Sequence, residues 1–323
     1  MAIQYRAFTW DDVVPLTAML NRAAEADGDD GRVTVEEIER QLRLPESDPI
    51  TDSILAVTPA DDIVGAGRFI LIPAIGRVMG IGVVDPQVRR QGVGTELVRW
   101  CDTRAMQRAE TELPAERPIY VQRFVNEKNA DARTLLEAIG YRPVRYFYTM
   151  RRYLDTPLDE PALPDGITLR PFVRERDARA VFDAVADAFS EHWGMGDFEY
   201  ERWSQNVLDD PHLDPALWLV AVDGDEIAAM CLNRRWGDDQ PDLGWISTLG
   251  VRPHWRKRGL GAALLNLSFY QFQQRGWTIA GLGVDAENAT GAVALYERVG
   301  MHVHACRVAY RKILRGREED IRD

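Results

Sequence analysis

The chain has 323 residues, 46% of them hydrophobic, and carries 51 acidic against 39 basic side chains for a net charge of −12. That length suits two domains of about 150 residues with ordinary cores. The acidic balance argues against nucleic-acid binding, which depends on Lys and Arg neutralising phosphates. No stretch approaches the ~20 apolar residues of a membrane span, so no membrane partner is expected. The opening Met-Ala-Ile-Gln-Tyr-Arg has no apolar signal region, which points to a cytoplasmic protein.

Taken in chain order, the elements come in two similar series. Arg6-Ala-Phe8 returns 164 residues later as Arg170-Pro-Phe172. Residues 84–96 contain Val84, a Pro, then Arg89, Arg90, Gln91, Gly92, Val93, Gly94 and Thr95. This is a β-type run followed by Arg-x-x-Gly-x-Gly at the start of a helix. Val93, Leu97, Trp100 and Cys101 fall at i, i+4, i+7 and i+8 of that helix. Ile139-Gly140-Tyr141 ends a second helical stretch. Residues 154–165 hold three prolines and four acids and read as an extended linker. These features divide the chain into a first domain, 1–153, and a second, 166–323.

The second series is clearer. Ile167–Arg170 reads as a strand and Arg174–Phe189 as a helix, with another helix at Phe198–Leu208. Leu217–Val222 and Glu226–Trp236 read as strands joined by the hairpin signal Asp223-Gly224. Leu243–Val251 is a strand leading into Arg256, Lys257, Arg258, Gly259, Leu260, Gly261 and Ala262, the same Arg-x-x-Gly-x-Gly placed 167 residues after the first. A helix follows to Arg275, then a strand at Thr278–Val284 and a helix at Ala289–Val299 closed by Gly300. A terminal strand runs from His302 to Ile313. The alternation implies an α/β fold with a mixed sheet in each half.

Strand, Gly-x-Gly and helix together make an anion site. Glycines let backbone N–H groups approach a ligand, and the first N–H groups of a helix have no partner within it. Neither copy has the third glycine of a dinucleotide fingerprint, nor the Gly-Lys-Ser/Thr of a P-loop. Cys101, Cys231 and Cys306 form no CxxC pair and read as reduced thiols, and the five histidines lack metal-ligand spacing.

This cradle resembles the acyl-CoA-binding motif of the GCN5-related N-acetyltransferase (GNAT) superfamily. Asn288-Ala-Thr-Gly-Ala-Val-Ala-Leu-Tyr296-Glu-Arg-Val-Gly300-Met301 is similar to the later Asn-x-x-Ala-x-x-Leu-Tyr-x-x-x-Gly-Phe segment of that family, with Gly291 and Met301 as mild departures. Ala188-Phe-Ser-Glu191-His192-Trp193-Gly194 resembles a run in tandem, mycothiol synthase-like acetyltransferases, which acetylate the amine of a cysteinyl-sugar conjugate. The resemblance implies two tandem acyltransferase domains, each with a mostly antiparallel twisted sheet flanked by helices. It also implies acetyl-CoA as cosubstrate, a small-molecule amine as acceptor and no metal.

In the resemblance, Asn288 contacts the pantetheine arm, and Tyr296 protonates the departing thiolate. Backbone N–H groups around Leu249, Gly250 and Val251 hold the oxyanion. The general base stays open among Asp242, Glu191, His192 and water. Aligning Gly140 with Gly300 sets Leu136 opposite Tyr296 and Lys128 opposite Asn288, so the first copy lacks the acid and is expected to be catalytically degenerate. Tyr141, Tyr146 and Tyr148 remain as substitutes. A non-catalytic acyl-CoA sensor and an aminoglycoside-type acetyltransferase are the competing readings.

Overall fold

A computed structural model describes residues 2–29, 31–43, 47–190, 193, 199–210, 213–237, 239–288 and 290–321. The chain divides into two compact units: residues 1–146 with 306–322, and residues 147–305.

The first unit begins with β1 (Gln4–Ala7), α1 (Val13–Asp27) and α2 (Val35–Leu42). It continues with β2 (Ser53–Val57), β3 (Ile63–Ile72) and β4 (Arg77–Val84). The helix α3 (Val93–Glu112), the strand β5 (Ile119–Asn126) and the helix α4 (Ala130–Ala138) follow. Three antiparallel pairings run from β1 to β4, and β4 then pairs with β5 in parallel. The buried faces of α1 and α2 cover one side of this sheet through Val13, Leu16, Met19 and Ile38. Val98, Ala105 and Ala109 of α3 pack with Val78 and Val121 on the other side.

β6 (Arg142–Tyr153) leads into β7 (Ile167–Arg170), α5 (Arg174–Ala188) and the single turn α6 (Tyr200–Trp203). Then come β8 (Trp218–Asp223), β9 (Glu226–Arg235), β10 (Leu243–Val251) and α7 (Leu260–Gln274). The chain ends with β11 (Ile279–Asp285), α8 (Ala292–Arg298) and β12 (His302–Arg315). The second unit repeats the pattern: antiparallel from β7 to β10, and parallel from β10 to β11. The β8–β9 hairpin turns at Gly224, whose φ of +60° suits the turn. Leu264, Leu265, Phe269 and Phe272 of α7 fill one face of the sheet, while Val181, Phe182 and Val185 of α5 cover the other.

The last strand of each series crosses over. β6 supplies the antiparallel partner of β11, and β12 supplies that of β5. Against the expected limits of 153 and 166, residues 147–153 therefore belong with the second unit and residues 306–322 with the first. The segment read as a linker is tied to α7: the Gln273 side chain accepts from the Leu158 N–H and donates to the carbonyls of Leu154 and Thr156.

Candidate active site

Each unit opens its sheet at the same place. In the second, β10 pairs with β11 only from Leu243↔Ile279 to Ile246↔Leu282. Beyond that the strands part, and β10 slips against β9 at Ser247. In the first, β4 pairs with β5 only over Arg77–Met79. The open strand ends carry backbone groups with no partner strand on that side. The Arg252 N–H donates to the Ala228 carbonyl of β9, so alternation along an antiparallel strand turns Gly250 toward β9 and turns Leu249 and Val251 toward the opening. Of the three expected oxyanion donors, Leu249 and Val251 thus face the gap. Gly250 instead makes room for Met230, whose sulfur would lie 2.6 Å from a Cβ there.

The cradles match in backbone. After a short 3-10 turn at Pro253–Trp255, Lys257 takes φ +62° and Gly259 takes φ +82° as the residue preceding α7. In the first unit Arg90 takes +61° and Gly92 +85° at the corresponding places before α3. Left-handed conformation at these paired positions folds the loop back so that successive N–H groups surround one point. A Cβ on Gly259 would meet nothing within 4 Å, so that space is open. Gly261 differs, since a Cβ there would come within 3.1 Å of Leu295 on α8, and Gly94 likewise meets Leu135 of α4 at 2.9 Å. The second glycine therefore serves helix packing as well as ligand approach.

Arg256 has a structural use. Its guanidinium donates to the carbonyls of Val251 and Ala188, at 3.2 and 3.0 Å, fixing the loop to the strand and to the end of α5. Lys257 and Arg258 are the exposed cations of this cradle.

Tyr296 sits on α8 with its ring in the core beside Leu264 and Leu282. Its hydroxyl has no hydrogen-bond partner among the described residues. Burial, and then the nearby Cys231, push its pKa well above the ordinary 10.0, so it keeps its proton at neutral pH. Asn288 lies in the turn between β11 and α8, its side-chain oxygen accepting from the N–H of Thr290 at 2.7 Å. Asp242 lies at the closed end of the β10–β11 pair. Its carboxylate accepts from the Thr278 hydroxyl at 2.5 Å and its carbonyl takes the Thr278 and Ile279 N–H groups. This position is remote from the opening, so the structure does not bring Asp242 together with Tyr296. Glu191 and His192 fall outside the described residues; Trp193, beside them, packs against Phe147 with ring centroids 5.8 Å apart.

The first unit is built differently at its opening. The Met301 N–H bonds to the Tyr296 carbonyl, as the Tyr141 N–H bonds to that of Leu136, which confirms Leu136 as the counterpart of Tyr296. The turn before α4 shows Asn129, rather than Lys128, opposite Asn288: Asn129 N–H bonds to Asn126 O as Asn288 N–H bonds to Asp285 O. The second copy has one more residue between this turn and the closing glycine. The Asn129 amide donates to Asp27 at 3.0 Å, and Arg89 holds the same carboxylate with two bonds, 2.6 and 3.1 Å. Asp27 thus links the end of α1, the cradle and the start of α4. Arg90 pairs with Asp131 of α4. Tyr141 donates to Asp102 at 2.6 Å and accepts from Arg123 at 3.0 Å, so its proton is committed.

The thiols are inert by environment. Burial pushes Cys101 up to about 11 and Cys231 up to about 12, and burial with Glu127 pushes the partly exposed Cys306 up to about 11. Thiol titration of native protein with a chromogenic disulfide at pH 8 should give slow reaction at Cys306 alone, and all three thiols only after denaturant. Rapid labelling of Cys231 would contradict its enclosure.

The profile of the acetyltransferase (GNAT) family matches residues 18–141 and again 178–301. The chain belongs to this family. The mycothiol acetyltransferase of Geodermatophilus obscurus is 31% identical across 93% of this chain and 94% of its own length, and that of Streptomyces scabiei is 31% identical across 91% and 89%. A GCN5-related N-acetyltransferase from Sphaerobacter thermophilus superposes with a TM-score of 0.82 at 34% identity, covering 97% of this chain and 96% of that one. A tandem GNAT protein from the clavulanic acid biosynthesis pathway shares the fold at 16% identity, with a TM-score of 0.74 over 98% and 100% of the two chains. This acetyltransferase is thus a tandem GNAT enzyme of mixed α/β architecture. No helix among its described residues is long and apolar enough to cross a membrane. Sequence reasoning missed Trp245, which lies over Gly281 where the strands part; the signal was a Trp on one strand beside alternate glycines on the next.

Proposed function

We propose that the second repeat transfers an acetyl group from acetyl-CoA to a primary amine of a small molecule by direct attack. The observation that carries this reading is the buried Tyr296, with its proton retained and its hydroxyl without a hydrogen-bond partner among the described residues. The pyrophosphate would sit at the start of α7, held by the loop N–H groups with Lys257 and Arg258 nearby, while Asn288 meets the pantetheine arm. The ammonium first gives a proton to water, the free amine attacks the thioester carbonyl carbon, and the attacking nitrogen then gives its second proton to water. The oxyanion is held by the Leu249 and Val251 N–H groups. The intermediate collapses, the C–S bond breaks, and Tyr296 gives its proton to the thiolate. Bulk water then reprotonates Tyr296.

The cysteinyl-sugar amine implied by the mycothiol-type relatives is the first acceptor to test. Mass spectrometry of products from acetyl-CoA with cysteinyl-sugar, polyamine, aminoglycoside and amino-acid amines tests the reading. An acetylated amine is expected, and no product across the set would count against it.

The first repeat is read as non-catalytic and closed to acetyl-CoA, because Leu136 carries no proton and Asp27 occupies its amide and arginine partners. Calorimetry should give one acetyl-CoA per chain. Asp27→Ala should leave turnover within about twofold. Two equal sites in the unaltered protein would overturn the closure.

A further inference from the structure

We propose that Trp245 is the wall ending the acyl pocket, and that it confines this enzyme to short acyl groups. The inference rests on the reading that acyl-CoA lies in the opening between β10 and β11. The closed end of that opening has two faces. On the α7 face, Ile246, Leu282 and Leu264 are buried in the core and leave no path for a chain. On the opposite face, β11 presents Gly281 and Gly283, and Trp245 lies across them. A Cβ on Gly281 would fall 2.9 Å from indole atoms Cε3 and Cζ3, and one on Gly283 would fall 3.9 Å from Cζ2. The benzo edge of the ring therefore reaches the first β11 residue beyond the paired stretch, which ends at Leu282.

The ring is held there. Trp236 packs on Trp245 with centroids 4.3 Å apart, and Arg234 lies over Trp236 at 5.0 Å. Among the described residues the first unit has no such arrangement: where β11 has Gly281 and Gly283, β5 carries the buried Gln122 and the exposed Phe124.

Distance turns the wall into a ruler. Counted on β9, which takes the slip at Ser247 into account, Trp245 is level with Arg234 and Leu249 with Cys231, three steps or about 10 Å at ~3.3 Å each. The ring's reach from Gly281 toward Gly283 takes one to two of those steps and leaves roughly 3–7 Å before the Leu249 N–H that would hold the carbonyl oxygen. A methyl about 1.5 Å beyond the carbonyl carbon, plus a van der Waals contact of ~3.5–4 Å, uses most of that length. Acetyl fits. Butyryl is two carbons longer and runs into the indole.

The test is the calorimetric affinity of the full chain for free CoA and for acetyl-, propionyl-, butyryl- and hexanoyl-CoA. No acceptor is needed. The unaltered protein should bind butyryl-CoA at least tenfold more weakly than acetyl-CoA. In Trp245→Ala that gap should shrink to within about threefold, with free CoA affinity unchanged. Gly283→Ala guards against a failure of Trp245→Ala to fold. Its added methyl meets the ring at ordinary contact distance, so the fold should survive while acetyl-CoA loses affinity relative to free CoA. Failure of free CoA to bind would remove the underlying reading of the second repeat. Binding of free CoA and acetyl-CoA together with equal affinity for butyryl-CoA would overturn the wall alone. An unchanged acyl preference in Trp245→Ala, or an equal loss for free CoA and every acyl-CoA, would overturn it too.

Discussion

Gly259→Asp should lower acetyl-CoA affinity at least tenfold, about 1.4 kcal/mol, while leaving the fold intact. Gly259 is the hinge between loop and helix, with φ +82° and open space where a Cβ would stand. Asp tolerates this left-handed region better than most residues, so the local strain is small. Its carboxylate would stand beside the free N–H groups of α7, the ones a pyrophosphate needs, and would repel the phosphate charges. Gly261→Asp is the poorer probe, because its side chain must first displace Leu295 of α8. The mirror change Gly92→Asp alters the first cradle, which is already tied through Arg89 and Asp27, and should leave turnover within about twofold. Calorimetry and thermal melting on the two variants decide the matter. Unchanged affinity in Gly259→Asp, with an unchanged melt, would remove the cradle from the binding site.

The cradle was legible because its chemistry is local. Two glycines two apart after a strand describe a backbone shape without help from the rest of the fold, and the shape recurs at Lys257–Gly259 and Arg90–Gly92. The pairing of Leu136 with Tyr296 was legible for the same reason, since each lies four residues before a helix-ending glycine. What was not legible depends on partners far away in sequence. β6 and β12 both mix apolar with Arg or Lys positions, and nothing within either strand says which β11-like neighbour it joins; the exchange is set by tertiary packing. A cation beside a phosphate motif looks like a phosphate ligand, yet Arg256 faces the Val251 and Ala188 carbonyls. The match of Asn288 to Asn129 was hidden by one residue of difference in the turn. Asp242 is only a few residues from the opening in sequence, but a strand rises ~3.3 Å per residue, so those few residues carry it away from the chemistry.

Tyr296→Phe should lower kcat by about 10², with the KM for acetyl-CoA nearly unchanged. Removal of a general acid typically costs about 10²–10⁴-fold, and a thiolate is a fair leaving group, which favours the lower end. The change keeps the ring that packs beside Leu264 and Leu282, and the hydroxyl has no partner among the described residues, so little stability is at risk. An interaction made only as the C–S bond breaks is absent from the ground state, hence the split between kcat and KM. The pH behaviour gives a second readout. Burial raises the Tyr296 pKa in the folded state above the unfolded value of 10.0, so its stabilising contribution is fully present below pH 10 and fades as pH rises beyond that. The unaltered enzyme should therefore show no fall in kcat from loss of this proton between pH 6 and about 9.5, and the Phe variant should run parallel to it at a lower rate over that range. A core tyrosine without a chemical role predicts otherwise: rates within threefold of each other, measured where chemistry limits turnover. That outcome would retire Tyr296 as the acid and leave water, entering through the opening between β10 and β11, as the proton source.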